Sequence, residues 1–172
     1  MHIERIKKHD IIKIKRSGTD EQKMLDPNSL NMSGLSIGEI YVGKKASVSK
    51  TIEAADVYTY AGIIGDINPV HVNEEYAKTT RFGKRIAHGM LTASFISTIV
   101  GMLIPGADAI YCGQTLKFTA PVYFGDTITV NAEVTQIIPE KKLIVMRTTI
   151  VNQDGKVVVD GEATAMATKE DE

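Results

Sequence analysis

Disulfide potential, tryptophan and strong net charge are all missing from this sequence. Cys112 is the single cysteine, which excludes an internal disulfide and a cysteine-rich metal site. It also favours a reducing compartment, here read as the cytoplasm. Tryptophan is absent and aromatics make up 6% of the chain, too few for a base-stacking surface. A formal charge of -1 gives no overall pull toward nucleic acid or an anionic membrane. The start, Met1-His2-Ile3-Glu4-Arg5, has no apolar run behind it, so no signal peptide is read there. Residues 86–104 form the one long apolar stretch, interrupted by His88, Thr92, Ser94, Ser97 and Thr98. A bilayer span asks for about 20 mostly apolar residues. This stretch therefore reads as a buried helix, and no membrane span is expected.

What is present fits one globular domain. The chain has 172 residues, 43% hydrophobic and 24% charged, enough to bury a substantial core. Residues 1–34 read as an arm. Isoleucines 3, 6, 11, 12 and 14 lie among basic residues there and suggest a short amphipathic helix or strand, packed on the domain or on a neighbouring subunit. Residues 35–169 form the compact unit, and 170–172 an acidic tail. Ala46, Val48 and Lys50 alternate with polar residues, the pattern of a first strand. Val57, Tyr60, Ala61 and Ile64 then fall on one face of a helix over 53–64. Asn68-Pro69 is expected to stop it, because the residue before proline leaves the helical region. A short helix over 74–79 and a polar loop over 80–85 lead into the apolar helix, which Pro105-Gly106 ends.

Strands follow. Residues 127–135 alternate strictly, 139–142 read as a turn, and 143–151 form a strand apolar on both faces. Asp154-Gly155 signals a hairpin, after which Val157, Val159, Gly161, Ala163 and Ala165 line one side of the last strand. Helices and strands are segregated along the chain, an α+β organisation with strands wrapping one apolar helix.

The segment Gly65-Asp66-Ile67-Asn68-Pro69-Val70-His71 carries the chemistry. Asp66 and His71 sit on one proline turn, where a carboxylate and an imidazole can converge on one water and move its proton. Asp and Asn before Pro are also ordinary turn formers, so spacing alone leaves both readings open. A second element adds to the first. Gly89 lies at the start of the apolar helix, where amides lack intrahelical partners and a residue without a side chain lets a ligand approach closely. An N–H there would stabilise an enolate.

These motifs, followed by residues 85–97 and 110–128, resemble the MaoC-like (R)-specific enoyl-CoA hydratases across residues 35–168. The Asp-x-Asn-Pro-x-His pattern is intact, with Val70 where Leu or Ile is frequent. The resemblance implies a hot-dog fold, an antiparallel sheet wrapped around a central helix. It implies a homodimer, or a higher homo-oligomer of dimers, with the site near the subunit interface. The implied activity is reversible syn addition of water to a trans-2-enoyl-CoA. Coenzyme A is then part of the substrate, and neither a separate cofactor nor a metal is expected. By the same resemblance Asp66 and His71 hold the water, Asn68 fixes the site, Gly89 donates to the oxyanion, and Ser97 rather than Ser94 assists the water. Arg81, Lys84 and Arg85 read as a solvated loop, and Met90, Phe95 and Met102 as candidate acyl-pocket lining. A hot-dog thioesterase and a non-enzymatic acyl-CoA-binding regulator are the competing readings; neither needs Asp66 and His71 together.

Overall fold

The computed structural model describes residues 13–16 and 34–170; the rest of the 1–34 arm, and with it most of its isoleucines, lies outside the described residues. Within them, six antiparallel strands form one sheet in the order β1-β2-β4-β5-β6-β3. Strand β1 (Lys13–Arg16) pairs with β2 (Lys45–Thr51). The expected alternation holds in β2, where Ala46 and Val48 are buried. Strand β4 (Thr127–Ile138) turns Ile128, Val130, Ala132 and Val134 inward, and runs three residues past the sequence-based limit through a bulge at Thr135. Strand β5 (Leu143–Val151) buries Ile144, Met146 and Ile150 completely. Each such side chain contributes about 1.5–3 kcal/mol on leaving water.

Strand β6 (Val157–Met166) departs from simple alternation. Its register with β5 shifts between Ile150 and Val151, a bulge that places Val158 and Val159 both in the core while Val157 is exposed. Beyond it Ala163 and Ala165 are buried as expected. The edge strand β3 (Ile110–Phe118) pairs with β6 on one side.

Helix α1 (Ala54–Ile64) buries Val57 and Ala61, while Ile64 is exposed. Gly65, not Asn68-Pro69, ends it. That glycine takes φ 77° and donates its N–H to the Ala61 carbonyl, a left-handed cap that other residues adopt poorly. Pro69 instead starts α2 (Pro69–Val72), with Asn68 as its N-cap. Proline suits a first helical position because its missing N–H would have no partner there. Helix α3 (Glu74–Lys78) follows.

The apolar helix begins at Gly89 and is two pieces, α4 (Gly89–Ser94) and α5 (Ile96–Met102), meeting at Phe95. Ser94 and Thr92 bond back to the carbonyls of Leu91 and His88, and such side-chain competition loosens a helical ladder. Ile96, Ile99 and Val100 of α5 are buried where it packs on β2, β3 and β4. The sheet thus wraps the apolar helix, as the resemblance implies. No helix among the described residues is long and apolar enough to cross a membrane.

Gly161 marks where β3 and β6 come closest. A Cβ there would stand 1.9 Å from the Thr115 carbonyl oxygen, so the two strands could not keep their spacing. Gly161→Ala is expected to lower the urea midpoint of unfolding by the equivalent of about 1–3 kcal/mol; an unchanged midpoint would contradict the close approach.

Candidate active site

Asp66 and His71 flank the start of α2, and local backbone bonding fixes both. Gly65 turns the chain out of α1, and Ile67 N–H returns to the Gly65 carbonyl at 3.1 Å. The Asn68 N–H donates to Asp66 Oδ1 at 3.1 Å, and Asn68 Oδ1 accepts the Val70 N–H at 3.3 Å. Asp66 and Asn68 are therefore turn formers as well, and the turn commits only one carboxylate oxygen of Asp66. The other, Oδ2, lies 3.9 Å from His88 Nε2. The Asp66 side chain remains 48% exposed.

His71 is buried, at 8% exposure, and its Nδ1 lies 2.8 Å from the Ile86 carbonyl oxygen. A carbonyl only accepts, so Nδ1 carries the hydrogen and Nε2 presents a lone pair. Burial holds its pKa below the usual histidine range; nearby His88 adds to this, and the Ile86 bond and Asp66 oppose it. Near neutral pH the ring is thus an uncharged acceptor at Nε2.

A third side chain completes the cluster. His88, the N-cap of α4, is 3% exposed. Its Nε2 is 2.9 Å from the Asp66 carbonyl oxygen, and its ring stacks on His71 at 3.8 Å between centroids, tilted by 30°. One polar side-chain atom from each of Asp66, His71 and His88 lies within 4.8 Å of the others. A water bonding two partners at ~2.8 Å each spans that distance. A metal ion fits the cluster poorly. An imidazole points its lone pair in its ring plane, and two rings stacked nearly face to face do not aim at one point. The His88 nitrogen that faces the Asp66 carboxylate is also Nε2, which already donates to the Asp66 carbonyl.

A cavity of about 450 Å³ is lined among others by Arg81, Ile86, Gly89, Met90, Phe118 and Val159; Asp66, His71 and His88 do not themselves line it. That is the size range of small-molecule sites. Ile86 and Gly89 are shared ground: Ile86 lines the cavity and accepts from His71, and Gly89 follows His88. A Cβ on Gly89 would meet the Phe118 ring at 3.0 Å, so glycine lets Phe118 pack against the start of α4 at the cavity wall.

Several expectations fare differently. Met90 lines the cavity, but Phe95 and Met102 do not; Phe95 packs against the core and Met102 is partly exposed. Of the basic loop, Arg81 does reach the cavity. Lys84 lies over Tyr123, and Arg85 pairs with Glu74 at 2.7 Å. Ser97 lies exposed on α5, and no contact joins it to Asp66 or His71 among the described residues. His88 is the member that motif reading passed over; the signal was a second histidine directly before the glycine of interest.

Because folding depresses the His71 pKa, the unfolded chain binds the proton more readily below pH ~6.5, the free histidine value. Its stability contribution is present above that pH and lost as pH falls. His71→Gln should therefore show less loss of urea-unfolding stability than the parent between pH 7 and 5. Parallel acid sensitivity in both would count against a depressed His71.

A family model described as a MaoC like domain matches residues 39–156. The chain is 54% identical over 128 residues to an "(R)-specific enoyl-CoA hydratase" of Rhodospirillum rubrum, covering 74% of this chain and 88% of that one. It is 42% identical over 134 residues to a "3-hydroxybutyryl-CoA dehydratase" of Methylorubrum extorquens, covering 78% and 85%. An unliganded R-hydratase structure from Pseudomonas aeruginosa superposes with TM-score 0.76 at 45% identity, over 80% of this chain and 88% of that one. This chain therefore belongs to the MaoC-like family and has its hot-dog fold.

Proposed function

We propose that this chain is an (R)-specific enoyl-CoA hydratase, a hydro-lyase that reversibly adds water across the double bond of a trans-2-enoyl-CoA. The observation that carries the reading is the pairing of a neutral His71, its Nδ1–H tied to Ile86, with a carboxylate one water away. Relatives named for hydration and for dehydration at 54% and 42% identity support both directions of the same equilibrium.

In hydration, the water sits between Asp66 and His71 Nε2. His71 is the acceptor its tautomer favours, and the Asp66 carboxylate orients the water and offsets the charge of the imidazolium that forms. As one O–H bond breaks, the oxygen bonds to C3, and the C2=C3 electrons move onto the thioester carbonyl. The Gly89 N–H holds the resulting enolate, a donor of a kind worth about 2.7–4 kcal/mol in a preorganised site. The proton then returns to C2 on the same face and the thioester carbonyl re-forms, so the addition is syn. Asn68 fixes the turn that presents both groups. Coenzyme A enters as part of the substrate, and the chemistry asks for no other cofactor and no metal.

The working unit is a homodimer. Among the described residues strand β3 has a neighbour on one side only, and its Ile110, Tyr111 and Phe118 are exposed. Unpaired strand edges and exposed apolar patches are surfaces that proteins cover. Sedimentation equilibrium should give about twice the chain mass. The cytoplasm is the proposed compartment, consistent with a single free, exposed Cys112.

Purified protein mixed with short trans-2-enoyl-CoAs should consume the conjugated double bond and yield the (R)-3-hydroxy product, without release of free thiol. An (S) product, or thiol release in its place, would overturn the reading. Asp66→Asn should lose about 10²–10⁴-fold in kcat while the far-ultraviolet circular dichroism is unchanged; near-normal turnover would remove Asp66 from the chemistry.

A further inference from the structure

His88 has no part in the proton transfer described above, yet it touches both groups that do. It is among the least exposed polar residues of the domain, and three elements meet it. From α1, Tyr60 presents its ring to His88 at 5.3 Å and 62°. From the turn before α2, the Asp66 carbonyl accepts from Nε2 at 2.9 Å, with Asp66 Oδ2 at 3.9 Å. From α2, the His71 ring covers one face at 3.8 Å.

The two imidazoles are held in opposite tautomers. The carbonyl acceptors require hydrogen on Nδ1 of His71 and on Nε2 of His88. His88 Nδ1 is sealed from solvent and meets no hydrogen-bonding group among the described residues. A hydrogen on that atom would be a buried donor without a partner, which costs about 1–3 kcal/mol. The tautomer that bonds Asp66 is therefore the one the surroundings select. The ring cannot turn over without breaking that bond.

We infer that His88 is a positioning residue for the Asp66–His71 pair: its Nε2–H clamps the Asp66 main chain, and its ring face sets the plane of His71. A single side chain thereby couples the turn carrying the carboxylate to the ring carrying the acceptor. Its own main chain leads directly into the Gly89 amide. The acid, the acceptor and the amide are registered to one another through one imidazole. This rests on the hydratase reading for its kinetic consequences, but the tautomer assignment stands on hydrogen bonding alone.

Two variants separate the two contacts. His88→Phe keeps an aromatic face and removes the donor; His88→Gln keeps a donor and removes the ring. Each should lower kcat by about 10- to 100-fold, the scale of a displaced reacting group, with KM for the enoyl-CoA changed by less than about threefold. In an Asp66→Asn background, the further loss from His88→Phe should shrink to less than about twofold, since the clamp then holds nothing that reacts. Unchanged kcat in both single variants, or full additivity with Asp66→Asn, would overturn the inference. Nitrogen-15 imidazole spectra of the unaltered protein provide a test without substitution. They should show protonated Nε2 on His88 and protonated Nδ1 on His71, and a His88 protonated on Nδ1 would overturn it equally. Absence of hydration by the unaltered protein would instead sink the hydratase reading and leave the tautomer result standing.

Discussion

The bond from His71 Nδ1 to the Ile86 carbonyl, 2.8 Å long and partly buried, ties the proposed chemistry of this protein to its fold. It joins a turn near the start of the domain to the segment entering the central helix, and it leaves His71 only one way to face a substrate. The Ile86 N–H reaches back to the Val70 carbonyl at 3.3 Å, and Ala87 N–H bonds the Val122 carbonyl at 2.8 Å. The acceptor nitrogen is thus oriented by main-chain atoms belonging to α2, to the strand-like segment at Ile86 and to the loop before β4. Preorganisation of this kind is what distinguishes a reacting pair from two polar residues that happen to be close.

Burial and chemistry are balanced within the same small cluster. Desolvation keeps His71 uncharged, which suits an acceptor but would strand a cation formed during turnover. Asp66 answers that by remaining half exposed, a charge that is still hydrated and near enough to compensate. The apolar helix is both the centre of the hydrophobic core and the wall from which His88 and Gly89 are presented.

Much of this was legible in the sequence, because period and turn chemistry both encode it. The alternating strand at 127–135, the strand at 143–151 and the hairpin at Asp154-Gly155 lie where they were read; the strand at 143–151, read as apolar on both faces, buries alternate residues. The Asp66–His71 turn was legible through its company: the glycine at the start of the apolar helix and the family resemblance tipped a spacing that is ordinary by itself. Other features were hidden for physical reasons. The register shift at Val151 breaks alternation at Val157 and Val158 of β6, and nothing in a run of valines marks a bulge. Gly65 and Pro69 both read as helix punctuation, and only the backbone tells the cap that ends one helix from the residue that begins the next. The break at Phe95 arises from serine and threonine bonding back to carbonyls, which hydrophobic periodicity does not register. His88 was missed because its role depends on two partners, Asp66 and His71, lying 22 and 17 positions earlier in the chain.

The central claim is that one water, held by one carboxylate and one imidazole, supplies both the hydroxyl and the new C–H from a single face. Hydration of a trans-2-enoyl-CoA in deuterium oxide, followed by proton NMR of the isolated product, reads that directly. A single deuterium at C2, on the same face as the C3 oxygen and in one diastereomer, is the expected outcome. Deuterium on the opposite face, or a mixture of both diastereomers, would contradict it.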